Sequence, residues 1–212
     1  MTTMTYARDA QFWDRISEKY AQKPVPDLAV YKEKLRLTQG YFPPDAQVLE
    51  VGCGTGSTAV AHAPFVGHMH ATDLSPEMIR IARGRADKAR VQNVTFEATS
   101  VEALSGAPER YDAILALSLL HLVEDRVAVL KKLGGMLKPR GVLVTSTACL
   151  TGVLRVFPLI APLGRALGYL PTLRSVSPDQ LTREIEGLGL ATEYRRHPQN
   201  RHSLFLVSRK LG

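Results

Sequence analysis

Two carboxylates frame a glycine-rich turn in the segment Val48-Leu-Glu-Val-Gly-Cys-Gly-Thr-Gly56. Glu50 stands two residues before the first glycine, and Asp73 stands where the next predicted strand ends. A strand that runs straight into Gly52, Cys53, Gly54, Thr55 and Gly56 and then into a helix makes the first turn of a dinucleotide-type fold. Ligands of that fold bind beyond the carboxyl ends of the strands. Glycine suits the turn because the backbone bends sharply and a ligand must approach it with no Cβ in the way. An acid at the end of the second strand can accept hydrogen bonds from both hydroxyls of a ribose. The spacing is Gly-x-Gly-x-Gly, not the Gly-x-Gly-x-x-Gly of a pyrophosphate turn. Glu50 would repel a pyrophosphate and attract a ligand carrying a sulfonium and an α-ammonium group. The residues point to a positively charged adenosyl ligand.

The elements that must position these groups follow from periodicity. Gln47–Gly52 is a short apolar run entering the glycines, Ser57–Pro64 reads as a helix, and His68–Thr72 reads as a strand ending at Asp73. Ser75 is the expected N-cap of the next helix, with Pro76 at its first position and Met78, Ile79 and Ala82 along it toward Arg90. Val94–Ala98, Tyr111–Leu117 and Val142–Thr147 are further strands. Glu124–Leu137 is a helix, ended by the breaker Lys138-Pro-Arg-Gly141. Leu190–His197 and His202–Arg209 leave no room for a helix between them and read as an antiparallel pair. Alternating strands and helices imply parallel pairing, hence an α/β, doubly wound, Rossmann-like sheet of seven strands with helices on both faces.

Residues 1–45 lack this β pattern. Phe12, Trp13, Ile16 and Tyr20 recur at helical spacing, and Leu28, Tyr31, Leu35 and Leu37 suggest a second helix. The segment is expected to be an N-terminal helical lid on a Rossmann-like domain spanning 46–212. Within that domain, about 149–176 interrupts the alternation and is expected to form a roof over an apolar pocket. Arg155, Pro158, Pro162, Arg165 and Gly168 break its apolar run, so it does not read as a membrane span.

Val48–Gly56 followed by Ala71-Thr-Asp-Leu-Ser-Pro-Glu-Met78 resembles the class I S-adenosylmethionine-dependent methyltransferases of the small-molecule type. The resemblance is close over roughly 46–148. It implies that Gly52, Cys53 and Gly54, in the turn completed by Gly56, line the methionine moiety, with Glu50 beside them. Asp73 would hold the ribose, and Leu74 and Met78 would pack near the adenine. Where the family often has an acid for the adenine amino group, this chain has Ser100, with Val101 supplying a backbone amide. Leu117 and Ser118 would complete the floor. The implied cofactor is S-adenosyl-L-methionine, the product S-adenosyl-L-homocysteine, and no metal is expected.

Transfer from a sulfonium is an in-line displacement, so the protein must chiefly align the acceptor, exclude water and remove a proton where the acceptor carries one. His121, after the fourth strand, is the candidate base because its ordinary pKa lies near neutrality; packing beside the cofactor is the other role open to it. Trp13 and Tyr20 are candidates to close over the cofactor and acceptor, or to pack α-helically on the core. His121, Trp13, Tyr20 and Arg155 are the candidate acceptor contacts.

The composition of this 212-residue chain, 45% hydrophobic and 22% charged, is that of a globular protein. Cys53 and Cys149 alone imply neither a disulfide framework nor a zinc site. With no apolar leader at the N-terminus, a cytoplasmic location is expected. The formal charge of +7 comes from scattered basic residues, and the motifs of nucleic-acid methylases are missing, so no nucleic-acid partner is expected. The expected acceptor is a small, fairly apolar molecule. A lipid headgroup or quinone at a membrane surface is the second reading, and a non-catalytic adenosyl-binding module the third. A monomer or homodimer fits either enzyme reading.

Overall fold

A computed structural model describes residues 2–149, 170–197 and 203–212. Arg155 and most of the expected roof lie outside the described residues. Helix α1 (Thr2–Ala21) and helix α2 (Leu28–Gln39) precede the sheet. Asp27 caps α2, its side chain accepting from the Val30 amide at 2.9 Å. Strand β1 (Gln47–Val51) buries Val48 and Leu49 on opposite faces, as expected of a central strand covered on both sides.

Helix α3 (Ser57–His62) continues into a 3-10 turn at Ala63–Phe65 and leads to β2 (His68–Asp73). Helix α4 (Pro76–Ala89) starts at the expected cap: the Met78 amide donates to Ser75 Oγ at 3.0 Å. Then follow β3 (Val94–Ala98), β4 (Tyr111–Leu117), α5 (Arg126–Met136) and β5 (Leu137–Ala148). Helix α6 (Pro178–Glu186), β6 (Leu190–Arg196) and β7 (Ser203–Lys210) complete the described chain.

The seven strands form one sheet in the order β3-β2-β1-β4-β5-β7-β6. The first five pair in parallel, and β7 lies antiparallel between β5 and β6. The doubly wound, mostly parallel architecture expected from the sequence is the one found. Leu49, Ile114 and Leu143 pack with Leu130 and Leu133 of α5 and Leu181 and Ile185 of α6 on one face. Val48, Met69 and Val144 pack with Ala59 of α3 and Ile79 and Ala82 of α4 on the other.

Two local expectations need correction. The breaker Lys138–Gly141 does not separate helix from strand, because β5 already begins at Leu137, paired with Tyr111. The register then jumps to Ala113 opposite Val142, and Arg140 takes a positive φ of 64° in the bulge. Pro139 and Gly141 are therefore bulge residues within a strand, a position sheets tolerate. Helix α6 was not anticipated. Its signal is Ser177 followed by Pro178, with the Ser177 hydroxyl accepting from the Gln180 amide at 3.1 Å.

The strand order reverses between β1 and β4, whose neighbours β2 and β5 run outward to opposite edges. Such a switch point opens a crevice at the carboxyl ends of the strands. The glycine turn enters it.

Candidate active site

The glycine turn is held by its own backbone and by β2. The Cys53 amide donates to Thr72 O at 2.9 Å, and the Gly56 amide to Cys53 O at 3.0 Å. Gly52, Gly54 and Gly56 all adopt positive φ, at 69°, 53° and 74°. At Gly54 an added Cβ would meet only Tyr20 Cε1, at 3.9 Å, so the space above it lies open beneath the tyrosine. Gly56 differs. A Cβ there would fall 2.7 Å from Ala82 Cβ of α4, and the residue is not part of the cavity wall. Gly56, expected beside the cofactor, serves here as a point of close approach to α4.

Asp73 is tied into the same turn. One carboxylate oxygen accepts from the Gly54 amide at 2.8 Å and the other from the Ser75 amide at 2.9 Å. Each oxygen keeps a lone pair to offer a ligand. Burial raises the Asp73 pKa, while the Ser75 and Gly54 amides pull it down and Asp14 pushes it up. Glu50 is 2% exposed, and its Oε2 has no hydrogen-bond partner. Burial, with the charge of Asp73 adding to it, raises its pKa to about 8. Cys53 is buried beside both acids, and its thiol is raised well above the ordinary range, first by burial.

These groups open into a cavity of about 700 Å³. Its wall includes Glu50, Gly52, Cys53, Gly54, Asp73, Leu74, Met78, Ser100, Val101, Leu117 and Ser118, together with Trp13 and Tyr20 from α1. The structure thus brings together every sequence-predicted cofactor residue except Gly56. Ser100 has a second task, since its hydroxyl accepts from the Ala103 amide at 3.1 Å and caps that turn. Ser118 adopts φ 58° and donates its amide to Ser146 O at 2.6 Å, which ties the end of β4 to β5.

Trp13 and Tyr20 meet edge to face, with ring centroids 6.1 Å apart. Their helix is fixed over the site by two aspartates that sequence reasoning missed. Asp14 accepts from the Ser75 hydroxyl and, at 3.2 Å, from the Glu77 amide, so it caps the start of α4 from outside. Asp9 accepts from the Thr172 amide at 3.0 Å and its hydroxyl at 2.6 Å. Pro171 and Thr172 also line the cavity, at the far end of the expected roof segment.

His121 is not in the cavity wall. Its backbone carbonyl accepts from the Arg174 amide at 2.8 Å, and Arg174 pairs with Glu124. Its ring Nδ1 is buried without a partner, and burial lowers the pKa to about 4. The ring is therefore neutral at pH 7 and set back from the cavity. Two further wall residues went unread in the sequence. His62 is 1% exposed, packs edge to face on Phe42, and is lowered to about 4 by burial. Lys34 enters from α2, where it shares a helix face with Tyr31 and Thr38 at the three- and four-residue spacing that could have marked it. Among the described residues, no cluster of three or more His, Cys, Asp or Glu is placed to hold a metal ion.

Comparison with known proteins accords with this geometry. The model of a family described as "Methyltransferase domain" matches residues 48–141, from β1 into the β5 bulge. A ubiquinone biosynthesis O-methyltransferase of Xanthomonas campestris pv. campestris is 37% identical over 105 residues, 49% of this chain and 44% of that protein. The chain thus spans less than half the length of that curated relative. A putative S-adenosylmethionine-dependent methyltransferase from Listeria monocytogenes superposes with a TM-score of 0.70 at 19% identity, covering 85% of this chain and 96% of that one. The [4+2]-cyclase SpnF superposes at 0.77 with 14% identity, covering 96% and 95%. The matched domain and the fold together support the class I S-adenosylmethionine-dependent methyltransferase family for this chain. SpnF is a reminder that this fold alone does not choose the reaction.

Proposed function

We propose that this chain is a methyltransferase that uses S-adenosylmethionine to methylate a small aromatic or otherwise apolar acceptor at oxygen. The observation carrying the proposal is Glu50, a buried carboxyl with an unpartnered oxygen in the wall of a 700 Å³ cavity, beside two glycines of positive φ. A cationic ligand compensates such a group, whereas a pyrophosphate would not. Gly52 and Gly54 would pass their backbone along the methionine end, Asp73 would accept from the ribose hydroxyls, and Leu74, Met78, Ser100 and Val101 would enclose the adenine. When bound, the cofactor supplies an electrophilic methyl group on a sulfonium sulfur.

The chain's own residues do the remaining work. Trp13 and Tyr20 exclude water from above, while Leu117, Ser118 and the 170–174 segment hold the acceptor side. His121 positions that segment through its carbonyl; we assign its ring no proton transfer. Oxygen as the acceptor atom, and a quinone-type ring as the acceptor, are supported by the names of the relatives, which were described for longer proteins.

Calorimetry with S-adenosylhomocysteine, followed by transfer of a labelled methyl group to a panel of phenols, tests the reading. Binding and turnover are expected. Binding with no turnover on any acceptor pool would leave a non-catalytic adenosyl-binding module. No binding at all would remove the cofactor assignment itself.

A further inference from the structure

Lys34 is the feature of the cavity that the cofactor reading does not use. Its ammonium donates to Ser146 Oγ at 3.1 Å and lies 5.2 Å from the centre of the Phe205 ring. No carboxylate among the described residues pairs with it. The charge that acts on it is another cation, Arg196, which is itself paired with Glu33. Burial, and then the charge of Arg196, lower its pKa. An ammonium held half-buried in a cavity wall with no counter-ion is costly unless a ligand supplies one.

Its place in the sheet says which ligand. The proposed adenine, ribose and methionine positions follow β3, β2 and β1 in order, at Ser100, Asp73 and Gly52. The ends of β4, β5 and β7 contribute Leu117, Ser146 and Phe205 to the same wall. Lys34 touches β5 through Ser146 and β7 through Phe205. Ser146 pairs with Leu117 of β4, and Ala116 of β4 pairs with Val51 of β1. Two strand spacings, about 10 Å, therefore separate the Lys34 contact from the line of β1. That span suits one aromatic ring placed between the methionine end and the ammonium, with the Phe205 face beside it.

We propose that Lys34 is a carboxylate subsite for the methyl acceptor, selecting a planar acceptor whose acid group lies at the opposite end from the atom to be methylated. The proposal rests on the methyltransferase reading above. Ser146 orients the ammonium, and Phe205 keeps it from solvent. Lys34→Met would keep the apolar packing and lose the selection, whereas Lys34→Arg would retain the charge.

The test uses 3,4-dihydroxybenzoate and its neutral counterpart 3,4-dihydroxybenzamide, titrated by calorimetry into protein loaded with S-adenosylhomocysteine. Wild type is expected to prefer the acid at least tenfold. Lys34→Met should erase the preference, and Lys34→Arg should keep most of it. Affinity for S-adenosylhomocysteine, measured on all three unloaded proteins, should be unchanged. Failure of wild type to bind the acid at millimolar concentration, or a preference that survives in Lys34→Met, overturns the proposal while leaving the cofactor reading intact. A tenfold loss of S-adenosylhomocysteine affinity in Lys34→Met also overturns it, because the ammonium would then serve the cofactor's own carboxylate. If wild type binds no S-adenosylhomocysteine yet binds the acid in a Lys34-dependent way, the methyltransferase reading falls and the carboxylate subsite stands.

Discussion

Glu50 gives the site a proton that should come and go with the charge of its ligand. In the free protein its pKa is about 8, against an ordinary value of 4.5, because burial and the nearby Asp73 oppose a second negative charge. Between those values the folded protein keeps a proton that the unfolded chain has released. The unfolded state binds fewer protons, so stability falls as pH rises through this window and is fullest below it. At 1.36 kcal/mol per pH unit, the loss attributable to Glu50 between pH 5 and pH 8 is on the order of 3–4 kcal/mol. For a chain of this size that corresponds to roughly 10 °C in Tm. Asp73 contributes in the same direction, since its pKa is also raised.

Glu50→Gln keeps the side chain's shape and removes the titration. Its Tm should decline less than wild type over pH 5–8, and the difference between the two curves isolates Glu50. Ligand binding provides the sharper measurement. A sulfonium favours the ionised carboxylate, so S-adenosylmethionine should bind with release of a proton below pH 8. Its affinity relative to S-adenosylhomocysteine should then rise by up to tenfold per pH unit. Both ligands carry the same α-ammonium and carboxylate, so the ratio removes their titration. Calorimetry in buffers of different ionisation enthalpy counts the protons released. A pH-independent affinity ratio in wild type, or a ratio that changes equally in Glu50→Gln, would refute the coupling between Glu50 and the sulfonium.

Other substitutions probe the frame around this acid. Asp73→Ala removes the acceptor of the Gly54 and Ser75 amides and of the proposed ribose bonds. It should weaken S-adenosylhomocysteine binding by roughly a hundredfold, about two charge-assisted hydrogen bonds, and equal affinity by titration would disprove the ribose assignment. Gly56→Ala combines positive φ with a Cβ 2.7 Å from Ala82. Urea denaturation should show a loss of about 2–4 kcal/mol. Asp14→Ala frees α1 from the start of α4. It should cost about 1 kcal/mol and expose α1 to protease, with S-adenosylhomocysteine protecting less than in wild type; an unchanged cleavage pattern would argue against the clamp. His121→Asn keeps the carbonyl bond to Arg174. Turnover should change less than threefold, and a hundredfold fall at constant cofactor affinity would restore the ring as the base.

The cofactor half of this cavity was legible because it is built from local sequence. Gly52, Gly54, Asp73, Leu74 and Ser75 lie on two strand-to-helix turns, where backbone conformation and a cap select residue types directly. The acceptor half is assembled from parts distant in the chain. Lys34 acquires meaning only when α2 brings it to Ser146, and Asp9 only when α1 meets Thr172. A lysine or aspartate on an amphipathic helix reads as a solvated residue until the fold supplies its surroundings. His121 is the converse case. Its residue type and its position after β4 suggested a base, but burial lowers its pKa to about 4 and it is not among the residues lining the cavity. The lysine the sequence left among surface charges thus meets Ser146 of β5 and Phe205 of β7 in the cavity wall, and the histidine it singled out holds the Arg174 amide through its carbonyl. What distinguishes the two is which of them lines the cavity, a property of the fold and not of either residue's neighbours in sequence.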